Sequence, residues 1–166
     1  MFPRRYFAGR YWPPRYFPQG TGVSAADLLE AIWYWYETTT IGDLIPGGLW
    51  VIRAPAETEY PVAAMIPLGT DVDLDTSATY TARNSIQFSI WAPDKEDARA
   101  AASALRQGLW TEPPQDDLVY RDGAEIQRFP RSDSITLAAE TNAGGVDLWQ
   151  AYFQFDFICQ ETASGS

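Results

Sequence analysis

The chain has 166 residues, of which 46% are apolar and 20% are charged, with seven Trp, nine Tyr and eight Phe. This composition excludes an intrinsically disordered chain, because disorder is typical of low hydrophobicity and high charge, and the length predicts one domain with appendages. The formal net charge of −10 argues against nucleic-acid binding by the body, since such binding depends on Lys and Arg neutralising phosphates.

The basic residues are distributed unevenly along the chain. The first twenty residues hold four Arg and no acid, which leaves 8 basic and 22 acidic residues for the remainder, a formal charge of −14. No apolar run reaches the roughly 18 residues that span a bilayer, and the N-terminal sequence lacks the apolar core of a signal peptide. The sequence therefore predicts neither membrane insertion nor export.

Residues 1–22 are predicted to form an extended arm, hereafter the arm. Arg followed by two aromatic residues recurs with a five-residue period, and four prolines (Pro3, Pro13, Pro14 and Pro18) favour extended backbone over helix. The predicted partner contacts of the arm are Arg5, Tyr6, Phe7, Arg10, Tyr11, Trp12, Arg15, Tyr16 and Phe17.

Three roles are open for the arm. Arg, Tyr and Trp dominate protein interfaces, and a basic arm suits the acidic body of a neighbouring copy or partner, which favours docking on protein. The same side chains can stack on single-stranded bases. An arm with no defined role is the third possibility.

A single α+β domain is predicted over residues 23–160, and its first helix begins near Ser24. Ser24 and Asp27 have the spacing of a capping box, and apolar residues follow at helical intervals. The run Trp33-Tyr34-Trp35-Tyr36 is aromatic on more than one helical face. Either it is sandwiched inside the domain, or Trp33 and Trp35 contact a partner.

Three strands are predicted next, over Leu49–Arg53, Tyr60–Leu68 and Asn84–Trp91, with a solvated acidic loop over Asp71–Thr81. In the third strand Ile86, Phe88 and Ile90 alternate with polar residues, which indicates one buried face and one wet face.

A second helix is predicted to run from Lys95 to Leu109, with Asp94 as its N-cap and a stripe of small apolar residues that suits close packing on a sheet. Further strands are predicted over 124–129 and 134–139. The last strand places Trp149, Ala151, Phe153, Phe155 and Phe157 on one face, and a loose tail follows over 161–166. The expected architecture is therefore an antiparallel or mixed sheet packed by two helices.

Catalysis is not predicted. The chain has no His, and its one cysteine, Cys159, offers no pair for a disulfide, zinc or redox site. Asp71, Asp73 and Asp75 alternate as in a calcium loop but lack its glycine and its downstream bidentate Glu. We interpret them as solvated charges and predict no metal, no cofactor and no enzymatic activity.

The order of elements resembles the tail-terminator or tail-completion proteins that join head and tail in long-tailed bacteriophages. The resemblance spans roughly residues 24–160. It is carried by Leu28-Leu29-Glu30-Ala31, by the strand Ser85–Ala92 running directly into the helix Asp94–Leu109, and by the terminal Phe155-Asp156-Phe157-Ile158. The arm departs from the family pattern, in which the first helix lies near the N-terminus.

The resemblance implies a virion structural protein that acts as a homo-oligomer, a hexameric ring that contacts tail tube and head connector proteins. It implies assembly in the host cytoplasm and no cofactor. Two other classes stay open. A small ligand- or peptide-binding α+β module would be monomeric with a stoichiometric ligand, and a single-strand nucleic-acid binder working through the arm would bind in a salt-sensitive way.

Overall fold

The computed structural model of the protein describes residues 25–55, 57–74, 79–111, 126–131, 134–141, 145 and 147–162. The described residues form two α-helices, α1 (Ala25–Thr38) and α2 (Lys95–Thr111), and a 3-10 helix (Thr40–Leu44). They also form six strands: β1 (Leu49–Val51), β2 (Val62–Leu74), β3 (Thr79–Ala92), β4 (Ile126–Pro130), β5 (Thr136–Thr141) and β6 (Asp147–Thr162). The predicted α+β fold is confirmed.

The strands form one mixed sheet in the order β1-β2-β3-β6-β4, and β5 also pairs with β6. β1 runs parallel to β2, while every other pairing is antiparallel. β4 pairs with residues 155–159 of β6 and β5 pairs with residues 147–152, so these two short strands lie end to end along the same edge of β6.

One face of the sheet carries the core beneath both helices. The buried face predicted for β3 is confirmed, because Ile86, Phe88 and Ile90 are buried. The wet face is confirmed only in part: Ser85 and Gln87 are partly exposed, but Ser89 is buried. Phe88 lies at the centre of an aromatic cluster: its ring stacks on Phe153 at 5.2 Å between centroids and meets Phe155 edge to face at 6.4 Å. Such ring pairs add to the burial of apolar area as a source of stability.

Helix α2 begins as predicted. The Asp94 carboxylate accepts hydrogen bonds from the backbone N–H groups of Glu96, at 2.7 Å, and Asp97, at 3.3 Å, which satisfies two of the helix's free donors. The predicted stripe of small residues is buried against the sheet. Its members are Ala98, Ala101, Ala102, Leu105 and Leu109.

Helix α1 covers the other end of the core. Its buried face contains Leu28, Leu29, Ile32, Trp35 and Tyr36. The Tyr36 hydroxyl donates a hydrogen bond to the Ile45 carbonyl at 3.2 Å, and so joins α1 to the segment that follows the 3-10 helix. Ser24, the predicted cap, lies outside the described residues.

Burial, with a smaller contribution from Glu37, raises the pKa of Tyr36 to about 12 from its ordinary value of 10.0. The fold therefore favours the neutral phenol. The contribution of the neutral Tyr36 phenol to the free energy of unfolding is complete below pH 10. It is lost as the pH rises towards 12, because the unfolded chain then releases a proton that the folded chain retains.

We expect Tyr36→Phe to reduce this alkaline loss of stability, which amounts to about 2 kcal/mol in the wild type between pH 9 and pH 11.5. Urea unfolding at the two pH values measures it. An equal alkaline loss in both proteins would contradict the assignment to Tyr36.

The predicted acidic loop over Asp71–Thr81 is wrong at both of its ends. β2 and β3 stay paired beyond the core as far as Leu74 opposite Tyr80, and Asp71 lies opposite Arg83, an oppositely charged cross-strand pair. Only residues 75–78 of that predicted loop fall outside the described strands. Likewise β6 continues to Thr162, paired with Thr79, so the first two residues of the predicted loose tail are in a strand.

Candidate assembly surfaces

Most of the predicted partner contacts lie in the arm, over residues 5–17, outside the described residues. Their role stays a prediction. The structure does describe the two helical tryptophans that were predicted to contact a partner. They differ in burial, because Trp35 is in the core while Trp33 is only partly buried.

Trp35 belongs to the core. Its side chain is 2% exposed, and a Cβ added to Gly108 of α2 would lie 3.2 Å from its ring, so α2 packs closely on it. A partner cannot reach this ring while the core is closed. The helical period explains the placement, because Trp35 lies seven residues, or about two turns, after the buried Leu28.

Trp33 and Tyr34 form the aromatic surface of α1, hereafter the α1 aromatic pair. Trp33 is half-buried against the core, while Tyr34 is 47% exposed. The two rings meet edge to face with centroids 5.3 Å apart. An exposed tyrosine held by a partly buried tryptophan is a rigid contact, which is the kind of group that anchors protein interfaces. Sequence reasoning singled out Trp33 and Trp35 but passed over Tyr34.

The second surface is the sheet face opposite the helices, hereafter the open sheet face. No helix within the described part of the chain covers it. Its members are Ser85, Gln87, Ser89 and Trp91 of β3 and Gln150, Tyr152, Gln154 and Asp156 of β6.

Side-chain hydrogen bonds join the two strands across the open sheet face. The Ser89 hydroxyl is buried beneath its neighbours and accepts from the amide of Gln87 at 2.9 Å and from that of Gln150 at 3.2 Å. The Gln154 amide donates to Gln87 at 3.4 Å. Amides and hydroxyls that are already bonded to one another form an ordered polar surface suited to contact rather than to acid–base chemistry.

A contact that involves a charged side chain lies at each end of this hydrogen-bond network. At one end the Ser85 hydroxyl donates to Asp156 at 2.6 Å, and Arg131 donates to the same hydroxyl at 3.0 Å. At the other end the Trp91 indole donates to Glu140 at 2.8 Å, which links β3 to β5 across the intervening β6. The contacts fix the positions of the polar side chains over the width of the sheet.

The third surface is a strand edge. β1 pairs with Ala63–Met65 alone, and Ile52 then donates its N–H to the Met65 carbonyl at 2.8 Å. Beyond the irregularity between Pro67 and Gly69, no described segment pairs with the outer side of β2. We call residues 69–74 the free β2 edge. Unpaired strand edges present backbone donors and acceptors to any extended chain.

Single large apolar side chains are exposed elsewhere on the subunit. They are Leu44, Ile52, Leu68 and Trp110, each between 46% and 52% exposed. Within the described residues no cluster of three or more acidic or cysteine side chains could hold a metal ion. In the same residues no helix is both long enough and apolar enough to cross a membrane.

No protein-family model and no curated protein sequence matches the chain. Among solved structures, a chain from the "Virion of native gene transfer agent (GTA) particle" superposes with a TM-score of 0.57 at 15% identity, over 82% of this chain and 97% of that one. A second solved chain, 16% identical over 83% of this chain and 96% of its own length, gives a TM-score of 0.42. The protein therefore shares its fold with a chain of a virion.

Proposed function

We propose that the protein is a virion structural subunit of the tail-terminator or tail-completion kind, which assembles into a ring at the head–tail interface of a long-tailed phage or phage-like particle. The observation that carries the proposal is the fold shared with a virion chain over 97% of that chain's length. The order of elements supports the same class, from the first helix to the closing aromatic strand.

The surfaces of the subunit suit this role. A closed ring needs two different patches on each copy, because each subunit contacts one neighbour on each side. The α1 aromatic pair and the arm supply contacts of the kind that interfaces favour. The body carries a formal −14 outside the first twenty residues, so a ring wall built from it would not retain DNA by attraction to phosphate. The role requires assembly and no catalytic chemistry.

We expect the purified full-length protein to form rings whose mass is a multiple of the 18.6 kDa subunit, six-fold for a hexamer. Light scattering over a range of concentrations measures the mass, and negative-stain imaging shows the shape. A protein beginning at Gly20 should form weaker rings, since it lacks the arm. A strict monomer at every concentration, even with tail tube and connector proteins added, would overturn the proposal and favour a ligand-binding module.

We expect Tyr34→Ala to weaken ring assembly by about tenfold or more, because truncating an anchoring aromatic at an interface typically costs more than 1 kcal/mol. The isolated subunit should unfold within about 0.5 kcal/mol of the wild type, since the side chain is half exposed. Glu37→Ala, also exposed on α1, is the matched control. Equal assembly of Tyr34→Ala and Glu37→Ala would remove α1 from the interface.

A further inference from the structure

We infer that the free β2 edge receives the arm of a neighbouring copy, which adds a strand to the sheet. The inference rests on the proposed ring and names the site that the arm occupies within it. Its starting point is the strand 69–74, which extends past β1 and with whose outer side no described segment pairs; β3, β6 and β4 follow it in the sheet.

The edge is long enough and regular enough to accept a strand. It continues in register with β3 from Gly69 opposite Ser85 to Leu74 opposite Tyr80, and six residues is a common strand length. Gly69, Thr70 and Asp71 are exposed in the subunit, so this end of the edge is accessible. An extended segment that docks there gains main-chain hydrogen bonds, as in other cases of strand addition.

Charge identifies the occupant. Between Ile66 and Ala82 the chain holds three acids, two of which, Asp71 and Asp73, are in the edge strand itself. Arg83, opposite Asp71, is the one base in β3, so this end of the hairpin keeps an excess of acids. The arm has the opposite composition, with four Arg and no acid in its first twenty residues. Complementary charges steer the encounter and disfavour other partners, such as a second copy of this acidic edge.

The arm also contains a segment capable of pairing. Residues 4–12 form its longest run without proline, between Pro3 and Pro13, and so keep every backbone donor. The 12 residues between this run and α1 span up to about 40 Å when extended. A domain of this size has a radius of gyration of about 14 Å, so the extended linker can reach well beyond the surface of its own subunit. The arm of a neighbour is therefore the occupant we assign.

The test uses crosslinking between differently marked copies in a Cys159→Ser background. One protein carries Ala8→Cys in the arm and the other carries Gly69→Cys at the edge. Mixed rings treated with a bismaleimide should give a crosslinked dimer about tenfold more abundant than a control mixture in which Ser103→Cys, on the exposed side of α2, replaces Gly69→Cys. A third protein carries Ala8→Cys and Gly69→Cys on the same chain.

Crosslinking only within the chain that carries both cysteines would show that each arm folds back on its own subunit and would overturn the inference. No crosslink above the Ser103→Cys control, in rings that still assemble, would also overturn it while leaving the proposed function intact. Loss of rings from every protein, including the wild type and the Cys159→Ser parent, would instead count against the proposed function.

A charge exchange provides a second measurement. Asp71→Lys should reduce ring assembly, and so should Arg5→Glu combined with Arg10→Glu. Combining all three substitutions should restore assembly to within about threefold of the wild type, because opposite charges again face each other. Additive losses in the combined variant would show that the arm and the edge do not meet.

Discussion

Gly47→Ala is expected to lower the free energy of unfolding of the subunit by about 3 kcal/mol or more, a large share of the roughly 5 to 15 kcal/mol that is typical of a domain. The added Cβ would lie 2.0 Å from the Glu59 carbonyl oxygen, 2.8 Å from Val62 Cβ and 2.9 Å from the Pro61 carbonyl oxygen. Two of these three atoms are backbone, so no side-chain rotation relieves the overlap.

The loop cannot retreat from the added methyl group without losing hydrogen bonds. The Gly47 N–H donates to the Pro61 carbonyl at 3.0 Å, and the Gly47 carbonyl accepts from the Trp50 indole at 2.7 Å. Gly69→Ala is the matched control, because the same added group meets nothing there. Urea unfolding of the two variants measures the difference, and a loss at Gly47 no larger than that at Gly69 would show that the β1–β2 connection is less closely packed than described.

Phe88→Ala is expected to lower the free energy of unfolding by about 3 to 5 kcal/mol, which is the range for removing a buried aromatic ring whose space the neighbours cannot fill. Phe88 is fully buried and contacts three other rings of the core, Phe153, Phe155 and Phe157. Its removal leaves a cavity at the centre of the sheet, directly beneath the helices.

The measurement is again urea unfolding, with two controls. Phe88→Leu retains most of the side-chain volume, so its loss in the free energy of unfolding should be about half that of Phe88→Ala. Gln87→Ala, one residue away on the open sheet face, should lower the free energy of unfolding by about 1 kcal/mol, because it removes the hydrogen bonds of the Gln87 side chain. A loss for Phe88→Ala as small as that for Gln87→Ala would mean that the core side of β3 is wrongly assigned.

Local sequence signals account for the elements that were predicted well. The Asp94 cap and the alanine stripe of α2 act within one helix, and the alternation in β3 and β6 acts within one strand, so neither depends on distant partners. The same alternation separated the core side of β3 from the polar side that is part of the open sheet face, although Ser89 on that polar side is buried.

The missed features are non-local. Nothing near Asp71 or Thr81 in the sequence shows that β2 and β3 remain paired beyond the core, because that pairing depends on the partner strand and on the register shift between Pro67 and Gly69. The free β2 edge depends on where β1 stops, which is a property of the assembled sheet. The partnership of Ser89 with Gln150 likewise requires knowing that β6 lies beside β3.

The central place of β6 affects the order in which the subunit matures. β6 lies between β3 on one side and β4 and β5 on the other, yet all three precede it along the chain. During synthesis the earlier strands leave the ribosome without the strand that joins them, and long-range pairings of this kind form slowly. The aromatic core can close only after residues 147–162 emerge, because Phe153, Phe155 and Phe157 all belong to β6, so folding of the core waits for the synthesis of this one strand.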